Sequence, residues 1–397
     1  MHYIRLLRPA RLDATGRGAP HISLLFTVTT DLGDSFLHPD APVDLLVAAA
    51  SGAAGEPFAR KTVRWNPGLR LLPVLLPVPP HMRRGDAACV VKIHPAAQQQ
   101  PFGVVRHSDV LPWTVDSRSS ASRGLIVPAN VEMVGGVGSP VSLRALQLRT
   151  GPEPRDPLMD VYFEEDIGES IARHIWDAGV VTACYLADVC LAQKQIRDVL
   201  PVKKDSFCVL ELGSGVGILG ITLACIIGMA AGMMPPESVV LLTDLPEAEE
   251  RARSNISRAS AALAQQDQGA STVELQYENL DWDEGRLGRF GPLVSARVWD
   301  LVILSDCTYN VDSLPALVGT LSALHTANLQ HPGITEDAKT SVLLATKPRH
   351  FSEQALFGLL EADDWQHRVI KSIPLPKLGE EDEVVDIYML EKGTGIS

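Results

Sequence analysis

The sequence predicts a doubly wound α/β sheet preceded by a smaller β-rich domain, and three observations carry that expectation. From about residue 126, short apolar runs alternate with runs of helical length, the pattern of a mostly parallel sheet with helices on its faces. Before that point, short alternating runs are broken by Gly, Pro and Asp, and no long helical period appears. The third is "VLELGSGVGILG", residues 209–220, where an apolar run enters a glycine-rich turn that opens a helix. A chain of 397 residues is long for one core, so two domains are expected, 1–125 and 126–397.

In the first domain "HYIRLL", "HISLLFTVTTDLG", "PVDLLVAAA", "KTVRWNPGLRLLPVLLPV" and "ACVVKIHP" read as strands. "AAQQQP" and "RSSASRG" are polar and of low complexity, and the second, residues 118–124, reads as a linker. His81, His94 and His107 are scattered and form no catalytic set. This half is expected to dock a partner.

In the second domain "VSLRALQLRT" is a strand, and residues 169–195 place Ile171, Ile175, Thr182, Leu186 and Val189 near helical spacing. "FCVLEL" is a buried strand and "ILGITLACIIGMAAGMM" a buried helix. "SVVLLTDL" is a strand, followed by a helix from Pro246, a residue suited to a first turn. "STVELQYENL" and "WDLVILSDCTYN" are strands with their exit loops. "SLPALVGTLSALHTA" is a helix, "TSVLLATKP" a strand, "SEQALFGLLEADDW" a helix and "EVVDIYMLEK" the closing strand. Leu212 to Pro236 carries no charge over 25 residues, but six are glycines and the stretch ends in Pro-Pro, so it reads as loop and buried helix and not as a membrane span.

Composition narrows the function. A net charge of −13 disfavours a broad nucleic-acid surface and suits a cationic substrate. The six cysteines show no CxxC pair and no zinc spacing, which points to no metal and to free thiols of a reducing compartment, cytoplasmic or nuclear. The N-terminus has Arg from position 5 and lacks the apolar core of a secretory signal. A membrane partner is not expected.

The glycine run satisfies G-x-G-x-x-G with Gly215, Gly217 and Gly220, a pattern shared with dinucleotide binders. It also satisfies E-x-G-x-G-x-G with Glu211, Gly213, Gly215 and Gly217. An acid just ahead of the glycines favours S-adenosylmethionine (SAM), whose ammonium is cationic where NAD carries pyrophosphate. Asp244 ends the next strand, where an acid can take a ribose diol in either cofactor class. Trp282 in "ENLDWDEG" can stack on adenine, with Asp281 near its exocyclic amine. Ser305, Asp306 and Tyr309 leave the fourth strand where an active site belongs, and an acid straight after four apolar residues is costly unless it faces a pocket.

Together "HIWDAG", "LELGSGVG", "TDLPE", "NLDW" and "SDCTY" resemble the seven-β-strand protein-lysine methyltransferases, the methyltransferase-like family that modifies chaperones, an AAA ATPase and elongation factors. The resemblance spans roughly residues 155–392 and is to members with an N-terminal extension, as in fungi. It implies a Rossmann-like seven-stranded methyltransferase sheet with SAM as cofactor, lined by Trp176, Gly213, Gly215, Gly217, Asp244, Trp282 and Ser305. It puts the family's D-x-x-Y on Asp306 to Tyr309, as catalytic residues that orient a lysine amine. Two departures stand out: Trp282 is followed by Asp283 where the family has Gly, and the interval before Asp244 is long. Alternatives are a small-amine methyltransferase, a SAM-binding scaffold without turnover and, least favoured, NAD-dependent reduction.

Overall fold

The computed structural model describes residues 1–392 apart from 15–17, 53–54, 81, 83–87, 97–103, 115–124, 152, 154, 169–170, 194, 204, 231–232, 266–271, 332–338 and 377–381. The expected linker at 118–124 and His81 therefore lie outside the described residues. The chain divides into two compact units. The first comprises Met1–Gln147, Tyr162–His174 and Leu375–Asp382; the second comprises Leu148–Val161, Ile175–Pro374 and the chain from Glu383.

The first sheet has 13 strands. They are β1 (His2–Leu6), β2 (Arg11–Asp13), β3 (His21–Thr29), β4 (Val43–Ala50), β5 (Pro57–Trp65), β6 (Leu72–Pro77), β7 (Cys89–Pro95) and β8 (Val104–Arg106), then β9 (Ile126–Val127), β10 (Ala129–Val134), β11 (Val137–Gly138), β12 (Val141–Arg149) and β13 (Leu158–Asp166). The main path runs β5-β4-β7-β10-β11-β2-β3-β1-β9, with β6 on β3 and β12 joining β10, β8 and β13. Alternate residues such as Phe26, Leu45, Val47, Val91, Ile93 and Val131 enter one core around Trp65, as the period of two demands.

The expected border at 125/126 is corrected by these pairings. Ile126 of β9 pairs with His2 of β1, and β10 pairs with β7 from Ala129↔Ile93 to Met133↔Cys89. The strands that follow the composition shift, β9 and β10, therefore belong to the first unit's sheet.

One buried ion pair knits this unit. Arg144 of β12 donates to Glu165 of β13, to the carbonyls of Ile4 (2.7 Å) and Pro128 (2.6 Å), and both partners are buried. Burial alone raises the Glu165 carboxyl, but the Arg144 guanidinium, with His174 and Arg5, more than reverses this and holds it well below the usual carboxylate range.

The second sheet has seven strands: β14 (Ser206–Leu212), β15 (Glu237–Asp244), β16 (Thr272–Asn279), β17 (Leu301–Ser305), β18 (Thr340–Thr346), β19 (Gln366–Pro374) and β20 (Val384–Lys392). Their order is β16-β15-β14-β17-β18-β20-β19. The first five are parallel and β20 is antiparallel to both neighbours. The middle strands are continuous apolar runs because helices cover both faces. The helices Leu314–Gln330 and Ala355–Ala362 pack Leu317, Leu321, Leu356 and Leu360 against Leu210, Val302 and Val342. Strand order reverses between β14 and β17, which makes their carboxyl ends the switch point where such sheets bind ligands.

Around this second sheet, two elements differ from expectation. The segment read as one helix from 169 is a short 3-10 turn, Ile171–Arg173, followed by the helix Asp177–Ala187 and a π-turn to Ala192. β19 went unread: its side chains are mostly half-buried or exposed, so no apolar alternation announces it.

Two outcomes are expected. Arg144→Ala leaves Glu165 buried without its cation and costs about 3–5 kcal/mol in urea unfolding at neutral pH, an effect that shrinks as acid protonates the carboxyl. A fragment of residues 126–397 strips β9 and β10 of partners and exposes Ile126, Val131 and Met133, so it elutes aggregated in size-exclusion chromatography where the full chain does not.

Candidate active site

The carboxyl ends of β14, β15 and β17 carry Glu211, the glycine run, Asp244, Ser305 and Asp306. Leu212 of β14 passes into Gly213 (φ 62), Gly215 (φ 54) and Gly217 (φ 86), three left-handed residues within five positions. A Cβ on Gly213 would stand 2.6 Å from Cys307 Sγ and 3.1 Å from the Trp282 ring, so the loop approaches both. Ser214 N bonds Thr243 O (3.0 Å), and Asn255 Nδ2 holds Val216 O (2.9 Å). The glycines thus form a fixed cradle that opens into the helix Ile218–Met229, with Gly217 as its N-cap.

Two acids flank this cradle. Asp244, the last residue of β15, accepts from Gly215 N (2.6 Å) on one oxygen and Leu245 N (2.7 Å) on the other. Burial pushes its carboxyl up, and the two amides act against that. Glu211 is buried beneath the loop and accepts from Gly220 N at 3.1 Å. Burial raises its carboxyl well above the usual range, and Asp244 adds to the rise. Among the described residues no cation pairs with it. A cradle no side chain can enter, a buried Ser214 hydroxyl with no partner among the described atoms and a buried uncompensated carboxylate together fit a ligand bearing an ammonium group.

Trp282 follows Asp281, which caps a short turn by accepting from Asp283 N (2.9 Å), and is half-buried with its edge towards Gly213. Trp176 is the N-cap of the Asp177–Ala187 helix in extended conformation, so it precedes that helix and is not part of its apolar stripe. Gly179 in the first turn lets the helix approach Ser305, whose Oγ would lie 3.2 Å from a Cβ there. Asp306 has φ 56, a left-handed conformation rare outside glycine. Its Oδ2 accepts from Ala178 N (2.7 Å) and Gly179 N (3.3 Å), its Oδ1 from Arg349 Nη2 (3.0 Å). Both oxygens expected to face the amine are therefore already engaged. Tyr309, 55% exposed, stands at the rim.

Sequence reasoning missed the loop after β18. Lys347 is buried and bonds Asp177 (2.8 Å) and Glu383 (3.0 Å). Glu353 accepts from Arg349 N (2.9 Å) and His350 N (3.0 Å) on one oxygen and from Thr308 Oγ1 (2.8 Å) on the other. The one signal was "TKPRH", two cations, Lys347 and Arg349, straight after an apolar strand and hence at the same sheet edge.

Residues 157–363 match the family model described as lysine methyltransferase, a span that holds every site residue above except Glu383. The chain belongs to the lysine methyltransferase family. It is a class I methyltransferase with S-adenosylmethionine as cofactor, on a Rossmann-like sheet. The whole chain is similar to a UPF0665 family protein of Schizosaccharomyces pombe, 26% identical over 399 residues, covering 98% of this chain and 99% of that protein. Among solved structures it is similar to magnesium protoporphyrin IX methyltransferase from Synechocystis with bound SAH, at 13% identity and TM-score 0.32, covering 54% of this chain and 85% of that one. A SAM-dependent methyltransferase from Methanosarcina mazei is similar at 10% identity and TM-score 0.30, covering 48% and 94%.

Glu211→Gln offers a check on the buried acid. Its folded value lies above an unfolded one of about 4.3, so its contribution to wild-type stability is fully present below that pH and is lost as pH rises towards the folded value. Glutamine keeps the bond from Gly220 and lacks the charge. In cofactor-free protein the melting temperature of Glu211→Gln should therefore gain on wild type as pH rises above about 4.3. An equal pH slope in both proteins would show the carboxyl to be unperturbed.

Proposed function

We propose that this chain is a protein-lysine N-methyltransferase. The family match over residues 157–363 carries the reading, because that span contains the glycine loop, Trp176, Asp244, Trp282, Ser305, Asp306 and Tyr309. In this reading Gly213, Gly215 and Gly217 cradle the cofactor, Glu211 answers its ammonium, and Asp244 takes the ribose diol with its remaining lone pairs. Trp282 lies against the adenine side, and Trp176 and Ser305 line the methionine side. When bound, SAM supplies a methyl group on a cationic sulfur.

The chain's own task is then to present a neutral amine in line. A lysine amine is protonated in water at neutral pH, with a value of about 10.4, and desolvation against aromatic walls lowers it. Trp176 and the exposed Tyr309 supply such walls at the rim. Placement does most of the work in a displacement that needs little covalent help. Tyr309 orients the incoming amine, and Asp306 acts from behind through the helix it caps. The acidic surface balance suits a cationic side chain. The free cysteines fit the cytoplasm or nucleus.

The test is to incubate the full chain with radiolabelled SAM and lysate from its own cells, then sequence labelled protein by mass spectrometry. Methyl-lysine in a discrete band supports the reading. Label only in the small-molecule filtrate would transfer it to a small amine, and SAM binding without label would make the protein a scaffold. Asp244→Ala should lower SAM affinity at least tenfold, at about 1.5–3 kcal/mol for each lost charge-assisted bond. It should abolish labelling at limiting SAM.

A further inference from the structure

The loop after β18 holds a guanidinium where a surface arginine would not be. Arg349 has a side chain 16% exposed, and its partner Asp306 is 5% exposed. Its guanidinium also lies 5.2 Å from the centroid of the Trp176 ring, within cation–π range. The backbone beneath it is fixed as well, because Glu353 ties Arg349 N and His350 N to Thr308, two residues past Asp306. Arg349 is therefore held at both ends.

What it holds is the entry to the Asp177–Ala187 helix. Trp176 makes no side-chain cap to its own helix, and the first amides are capped instead by Asp306 from a strand end 128 positions further along. Asp306 reaches them with a left-handed backbone, a conformation that L-residues adopt at a cost. The same first turn touches the cradle, since a Cβ on Gly179 would stand 2.7 Å from Ile218 Cγ2 and 3.2 Å from Ser305 Oγ. A shift of this turn therefore moves Trp176 and the glycine loop together.

We propose that Arg349 is a positioning residue for methyl transfer. Through Asp306 and by stacking on Trp176, it fixes the helix entry against the methionine side of the cofactor cradle. The proposal rests on the reading that the cofactor lies between the glycine loop and Trp176.

The experiment uses the full chain and S-adenosylhomocysteine as probe, titrated by calorimetry well below the melting temperature. Arg349→Ala should weaken binding at least tenfold, and Arg349→Lys, which keeps the charge on Asp306, should regain part of that loss. In a Trp176→Ala background Arg349→Ala should cost less affinity than it does in the wild-type background, because one of its two routes to the helix entry is already gone, and an undiminished cost would overturn the stacking role. A merely structural arginine would lower the melting temperature and leave the affinity of folded protein within about twofold, which overturns the proposal. If Arg349→Ala does not fold, Arg349→Lys decides: at least threefold weaker binding supports the role and unchanged affinity overturns it. Asp244→Ala is the control for the site. If it binds the probe as wild type does, the cofactor placement fails, and the role of Arg349 with it.

Discussion

Three left-handed glycines between β14 and its helix set the constraint on which the second unit's site depends. Gly213 and Gly217 let the backbone come within contact of Cys307, Trp282 and Leu242. Any side chain at these positions would separate the loop from the strand ends around it. The close approach has an electrostatic counterpart. Gly220 exposes its amide to Glu211, and the carboxylate beneath has that amide as its one hydrogen bond among the described residues. A buried acid so poorly compensated weakens the free protein and favours whatever cation completes it.

The rest of the edge is organised around Asp306 in a different way. Its carboxylate gathers two helix amides and a guanidinium, and Glu353 joins the same two loops a few residues away. Lys347 adds a third tie between Asp177 and Glu383. The β17 and β18 exits and the Asp177 helix therefore move as one body, while Tyr309 remains exposed at its margin. Such a body is fixed by side-chain ties and leaves adaptability to its rim.

How much of this was legible in the sequence follows from the range of each interaction. The glycine run, Asp244 at a strand end and the alternation of β14 to β18 with helices are local patterns, and each appears where its period or spacing put it. Trp176 was read as helical because Ile175 fitted a stripe, but the helix begins one residue later, and helix edges are the least local part of that signal. Asp306 was picked out by its isolation after apolar residues. Its partners could not be seen, since Arg349 lies 43 positions away and Ala178 lies 128. Arg349 itself follows a strand like any surface cation. The domain border failed for a related reason: β9 and β10 carry the same short-strand signature as their neighbours, and only their pairing with β1 and β7 assigns them.

The cysteines bear on how the protein can be handled. All six are free, five of them are buried, and burial pushes Cys190 and Cys225 up to about 12 and raises Cys89, Cys208 and Cys307 as well. Nucleophilic attack on a maleimide needs the thiolate, so the native thiols are slow to react at neutral pH. Phe351, 79% exposed, stands two residues from Arg349. A cysteine introduced there would be labelled selectively without removing any native one, giving a spectroscopic reporter in the segment that follows β18.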